Sequence, residues 1–228
     1  MSKFEKFLIR AEETSQIIKN NIITNKNTII IGHQDTDGII SSSILAKSIL
    51  KEKGRVTIRT LSSLNSDYIK QLKDSKYDFY IFTDIGSDLI EEFESRLKNK
   101  WLIIDHHKME NQYLNHNNVF NSWYCEYDGN YEISSSGLSY FISLSMNKLN
   151  QNLCFLPIVG AISDKQERGK NRVLTGINKK IIDEAQDMDT QFIELLLILC
   201  DQLTICCDNA QDVFGYNNHY CEGVPDTI

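Results

Sequence analysis

Past residue 180 the chain has neither lysine nor arginine. All 24 basic residues lie before that point, whereas ten of the 31 acidic residues lie after it. Residues 1–180 therefore carry 24 basic against 21 acidic side chains, and the overall charge of −7 describes the tail rather than the body. The break divides a body, 1–180, from an acidic extension, 181–228, which reads as helical at its start and is either part of the same domain or the lead into a further one. Proline occurs only at Pro157 and Pro225, which leaves no proline-stiffened linker. Six cysteines (Cys125, Cys154, Cys200, Cys206, Cys207, Cys221) include no CxxC pair, and their irregular spacing argues against both a disulfide framework and a zinc site among them. No apolar run reaches the roughly 20 residues of a membrane span. The N-terminal MSKFEKFLIRAEETSQ is amphipathic and unlike a cleaved signal, so a cytoplasmic chain with no membrane partner is expected.

What is present is enough for a sizeable core: 228 residues, 41% of them hydrophobic. Short apolar runs alternate with helical patterns: NTIIIGH, GIISSSILAKSILKEKG, RVTIRTLSS, SDYIKQLKDS, YDFYIFTDIGS, DLIEEFESRLKNK and WLIIDHH. The runs are continuous rather than alternating, as strands covered on both faces require. The expected fold is α/β, a parallel sheet flanked by helices. Further on, SSSGLSYFISLSMNKLN, LCFLPIVGAISD and TGINKKIIDEAQ read as helices.

Three expected strands end in acid or imidazole: His33, Asp35 and Asp37 after the first, Asp84 in TDIGS, and Asp105, His106 and His107 in IIDHH. The carboxyl ends of parallel strands share one edge, where such sheets bind ligands. Asp88 is set aside as a helix N-cap. Seven ionisable groups on one rim would repel and desolvate one another unless cations neutralised them. Mixed carboxylate and imidazole donors suit a divalent transition metal. A pair of ions about 3.5–4 Å apart, sharing one carboxylate, is the arrangement that drives in-line displacement at phosphorus. A further acid is available at Asp164, at the end of FLPIVGAISD.

In this order and at these intervals, HQDTDG, TDIGS, IIDHH and GAISD resemble the four motifs of the DHH phosphoesterase superfamily. NSWYCEYDGNYEISSSGLSYFI and GAISDKQE…LTGINKKIIDEA resemble its archaeal-type RecJ-like branch. The resemblance implies two divalent ions, manganese first with magnesium or cobalt as alternatives. One would be held by His33, Asp35 and Asp84, the other by Asp37, Asp84, His106 and Asp164, with Asp84 bridging. It places His107 against the scissile phosphate as hydrogen-bond donor or general acid, with Asp105 orienting it. Gly38 is expected to permit the tight turn into the following helix. Ser134, Ser135 and Ser136, in SSSG, would offer hydroxyls to phosphate or cap their helix.

The implied activity is that of an exonuclease on single-stranded DNA or RNA, in repair or replication. KQERGKNRVLTGINKK carries Lys165, Arg168, Lys170 and Arg172, with Lys179 and Lys180 beyond, against Glu167 alone: a candidate phosphate-backbone track or a solvated basic face. Two alternatives are a DHH enzyme on small substrates (nanoRNA, dinucleotides, pyrophosphate) and a replication scaffold binding the GINS complex or other replication proteins.

Overall fold

The computed structural model describes residues 1–169 and 172–186. Most of the acidic extension, the four later cysteines and Lys170 therefore lie outside the described residues. The elements run α1 (Lys3–Ile23), β1 (Asn27–His33), α2 (Thr36–Lys51), β2 (Arg55–Leu61), α3 (Ser66–Leu72), β3 (Phe79–Thr83), α4 (Ile90–Leu97), β4 (Trp101–Asp105), β5 (Val119–Asn121), α5 (Ser135–Met146), α6 (Phe155–Ser163) and α7 (Gly176–Gln186).

The five strands form one parallel sheet in the order β2-β1-β3-β4-β5. The apolar runs are continuous because both faces are covered. Ile30, Ile81, Leu102 and Ile104 face one core, packed by α1, α2, α5, α6 and α7. Ile29, Ile31, Tyr80, Phe82, Trp101 and Ile103 face the other, under α3 and α4. β2 is a largely exposed edge strand that carries Arg55 and Arg59, charges of the kind that discourage edge pairing. Among the described residues no helix is long and apolar enough to cross a membrane.

After β1 the chain steps outward to β2 and then crosses back to β3, so β1 and β3 are neighbours whose connections leave in opposite directions. That reversal opens a crevice at the carboxyl ends of β1 and β3, where doubly wound sheets bind ligands. Two local features bear on the sequence expectation. Gly38 is needed for close approach rather than for an unusual φ: a Cβ there would sit 2.4 Å from the His33 carbonyl oxygen, so only glycine lets the first turn of α2 rest on the end of β1. Asp88 is no cap; it is exposed, and α4 begins after Leu89 without any side-chain cap hydrogen bond.

Candidate metal centre

Each strand delivers its polar group by a different local device. β1 ends at His33, and Asp35 caps α2 by accepting the Gly38 N–H at 3.0 Å. Asp37 then falls in the first turn of α2 and is wholly buried. Asp84 follows β3 with φ of 61°, in the left-handed region that Asp tolerates better than most residues. Asp105 ends β4, with His106 and His107 directly after it. Asp164 caps the C-terminus of α6, the one of these acids delivered by the end of a helix rather than by the loop or turn that follows a strand.

The donors fall into overlapping groups. His33, Asp35 and Asp84 each place a ligand atom within 4.8 Å of the others; so do Asp37, His106 and Asp164, and so do Asp84, Asp105, His106 and His107. Asp84 joins the groups, with Oδ1 3.2 Å from His106 Nε2 and Oδ2 3.7 Å from His33 Nδ1. His106 Nε2 is also 3.3 Å from Asp164 Oδ2. His33 Nδ1 lies 2.7 Å from Asp35 Oδ2, yet it is buried with no well-directed hydrogen bond. Carboxylate and imidazole donors that converge this closely are what a cation site requires, and this mixed oxygen and nitrogen set fits divalent ions.

The electrostatics agree. Burial pushes the Asp84 carboxyl up to about 7, with the charges of Asp37 and Asp105 adding to the shift against the His106 hydrogen bond. Burial and the Asp37 charge likewise push Asp164 up to about 7. Burial alone would lower His106, but its hydrogen bond to Asp84 and the charges of Asp37, Asp84 and Asp105 hold it at about 10. Without a cation, then, this centre retains protons that a metal would displace.

His107 is arranged differently. It is exposed, its Nδ1 sits 2.8 Å from Asp105 Oδ1, and its backbone N–H donates to the same oxygen at 3.1 Å. The buried Asp105 is held down at about 2 despite desolvation, mainly by the His107 hydrogen bond, and in return raises the His107 pKa. Asn121 Nδ2 fixes the backbone by donating to the His107 carbonyl at 2.9 Å.

Ser135 and Ser136 are wholly buried and turned inward, not toward a substrate. Their backbone N–H groups donate to Asp37 at 2.8 and 3.1 Å, and Ser135 Oγ donates to Asp84 at 3.0 Å. The cap of α5 is Ser134, so the helix N-terminus holds a carboxylate of the site in place of a phosphate. Of the basic segment, Arg168 reaches the cleft, its guanidinium 4.7 Å from the Tyr131 ring centre. Lys165 is exposed, and Arg172 pairs with Glu167 at 2.7 Å. Lys180 lies over the Phe4 ring of α1, 4.5 Å from its centre. The cleft has a volume of about 220 Å³ and is lined by Asp35, Asp84, His106, His107 and Asp164 together with Asn130, Gln166 and Arg168. Sequence reasoning missed Asn130 and Gln166, because uncharged amides in loops leave no pattern.

A parallel α/β domain with a cation-competent cluster at its topological switch point is the class that fold and site define. The chain belongs to the DHH family: the model of the DHH family, N-terminal domain, matches residues 27–198. It is 32% identical over 183 residues to the uncharacterized protein MJ0831 of Methanocaldococcus jannaschii, covering 77% of this chain and 41% of that one. The chain thus spans well under half the length of this relative. Among solved structures it resembles RecJ of Thermus thermophilus in complex with Mn²⁺, with a TM-score of 0.61 and 16% identity over 77% of this chain and 26% of that one. It also resembles CDC45 of Entamoeba histolytica, with a TM-score of 0.56 and 17% identity over 83% of this chain and 38% of that one.

Proposed function

We propose that this chain is a metal-dependent phosphodiesterase, a RecJ-like exonuclease hydrolysing single-stranded DNA or RNA. The observation that carries the reading is the set of ligand groups that meet at Asp84 and His106. His33, Asp35 and Asp84 would hold one divalent ion, and Asp37, Asp84, His106 and Asp164 a second. Manganese is the first choice, supported by the mixed donors and by the likeness to a manganese-bound RecJ. When bound, such ions supply an activated water and neutralise charge on phosphoryl oxygens.

The protein's own groups do the rest. Asp105 anchors His107 Nδ1 and leaves Nε2 free to hold a proton for the leaving oxygen, and the raised pKa favours the protonated ring. Arg168, supported by Tyr131, stands at the cleft rim to meet phosphate oxygens, with Lys165 nearby along the chain. The cleft is smaller than the roughly 300–1,000 Å³ of pockets that engulf a ligand, which suits a reacting phosphate whose nucleotides lie outside it. Incubation with manganese and end-labelled single-stranded DNA, RNA and dinucleotides side by side tests the reading. Progressive shortening of a long strand supports it, and cleavage confined to dinucleotides or pyrophosphate contradicts it. A role in replication or repair, with a partner such as GINS, is a second reading favoured by the fold likeness to CDC45. Retention of the chain by immobilised GINS would test it.

A further inference from the structure

His106 reaches the centre through Nε2, so its ring orientation is set at Nδ1, which lies 2.5 Å from the Gly129 carbonyl oxygen. That oxygen has a second donor, Gln166 Nε2 at 2.8 Å, which also reaches the Ile133 carbonyl at 3.3 Å. Gln166 Oε1 in turn accepts from Asn178 Nδ2 at 2.7 Å. Asn178 belongs to α7, and its backbone N–H donates to the Glu132 carbonyl at 2.9 Å. Both amides are buried, Gln166 fully and Asn178 to 1% exposure. Asn178 of α7 and Gln166, just past α6, therefore meet at one loop, 129–133, and the loop meets His106.

Two details argue that this is more than packing. Asn178 Oδ1 is buried without a partner among the described residues, a destabilising arrangement that an apolar side chain would avoid, so the amide serves through its donor. Gln166 is also two residues beyond Asp164, and its backbone N–H is tied to the Ala161 carbonyl of α6 at 3.0 Å. The same residue thus touches the supports of two candidate ligands, His106 and Asp164.

We propose that Gln166 and Asn178 are positioning residues for His106, so that the seating of α7 and the occupancy of the metal centre are linked. The inference rests on the metal-binding reading above. A ligating histidine whose other nitrogen is held by a carbonyl has its tautomer and ring angle fixed, and loss of such support typically weakens metal binding about 10–100-fold. Linkage is reciprocal: a metal that binds better when α7 is seated must also hold α7 in place.

The test uses the full 228-residue chain and manganese alone, with free ion counted by electron paramagnetic resonance. Gln166→Met keeps the volume and removes the relay; it is expected to weaken manganese binding roughly 10-fold or more. Asn178→Ala is expected to weaken it less, but in the same direction. Ile69→Val, a buried change on α3 across the sheet from α7, is expected to leave affinity unchanged. Hydrogen exchange supplies a second readout: manganese should slow exchange of α7 amides in the wild type, and Gln166→Met should abolish that slowing. Wild-type affinity in both relay variants, or equal weakening by Ile69→Val, overturns the linkage. If Gln166→Met does not fold, Asn178→Ala decides by the same criteria. A wild-type chain that takes up no manganese overturns the proposed function and this inference together, a result distinguishable without any variant.

Discussion

Asp84 is the residue on which the centre turns, and its environment disfavours its own charge. A neutral isostere should therefore stabilise the metal-free fold. Asp84→Asn, which tolerates the left-handed φ, is expected to raise the melting temperature of the metal-free protein by a few degrees at pH 8 while removing metal uptake. Thermal melts beside metal titration check both halves. The same crowding sets a pH dependence. Asp84 and Asp164 titrate at about 7 in the folded chain against 3.8 when unperturbed, so between about pH 4 and 7 the native state binds more protons than the unfolded state. His106, raised from 6.5 to about 10, extends that window upward. Stability of the metal-free chain must then fall as pH rises from 5 to 9, and manganese should restore more of it at the alkaline end. Melting temperatures at pH 5.5 and 8.5, with and without manganese, would show this; a flat metal-free profile would count against the crowded centre. His107→Ala is expected to lower turnover by about 10²–10⁴ with metal affinity kept, since the ring is anchored on Asp105 and faces outward.

At the scale of elements, the sequence was most legible where a continuous apolar run met a sudden acid. β1, β3 and β4 each end that way, and the converging edge followed from parallel pairing alone. Asp164 was legible for the same reason at the end of α6, although a helix and not a strand carries it. The three-residue β5 was not, because Val119–Asn121 is too short to show a period. The SSSG stretch was half legible: Ser134 as a cap could be expected, whereas only the fold shows that α5 starts against α2 and clamps Asp37. Loss of that cap should loosen the carboxylate as well as the helix. Ser134→Ala is expected to cost about 1 kcal/mol of stability in denaturant melts, together with a measurable drop in metal affinity. Gln166 and Asn130 were illegible, since a buried amide is recognisable only by the partners that the fold gives it.

For the whole molecule, the body that surrounds the centre carries nearly balanced charge, with basic residues gathered after Asp164 and acidic ones in the last 48 residues. A long strand should feel that basic segment and a dinucleotide should not. Replacing Lys165, Arg168, Lys170 and Arg172 with serine is expected to lower cleavage of a long strand relative to a dinucleotide at fixed salt. It should also flatten the salt dependence of long-strand binding, by roughly one unit of slope for each phosphate that is no longer neutralised. Arg168 should carry most of the effect, because Arg172 is already engaged by Glu167. A constant ratio would make the segment a solvated face. Beneath every one of these expectations stands the claim that a single carboxylate joins two cation sites. Native mass spectrometry of the full chain with manganese tests it most directly: two ions per wild-type chain and none in Asp84→Ala is the expected result, whereas a single ion in the wild type, or an undiminished pair in Asp84→Ala, would contradict it.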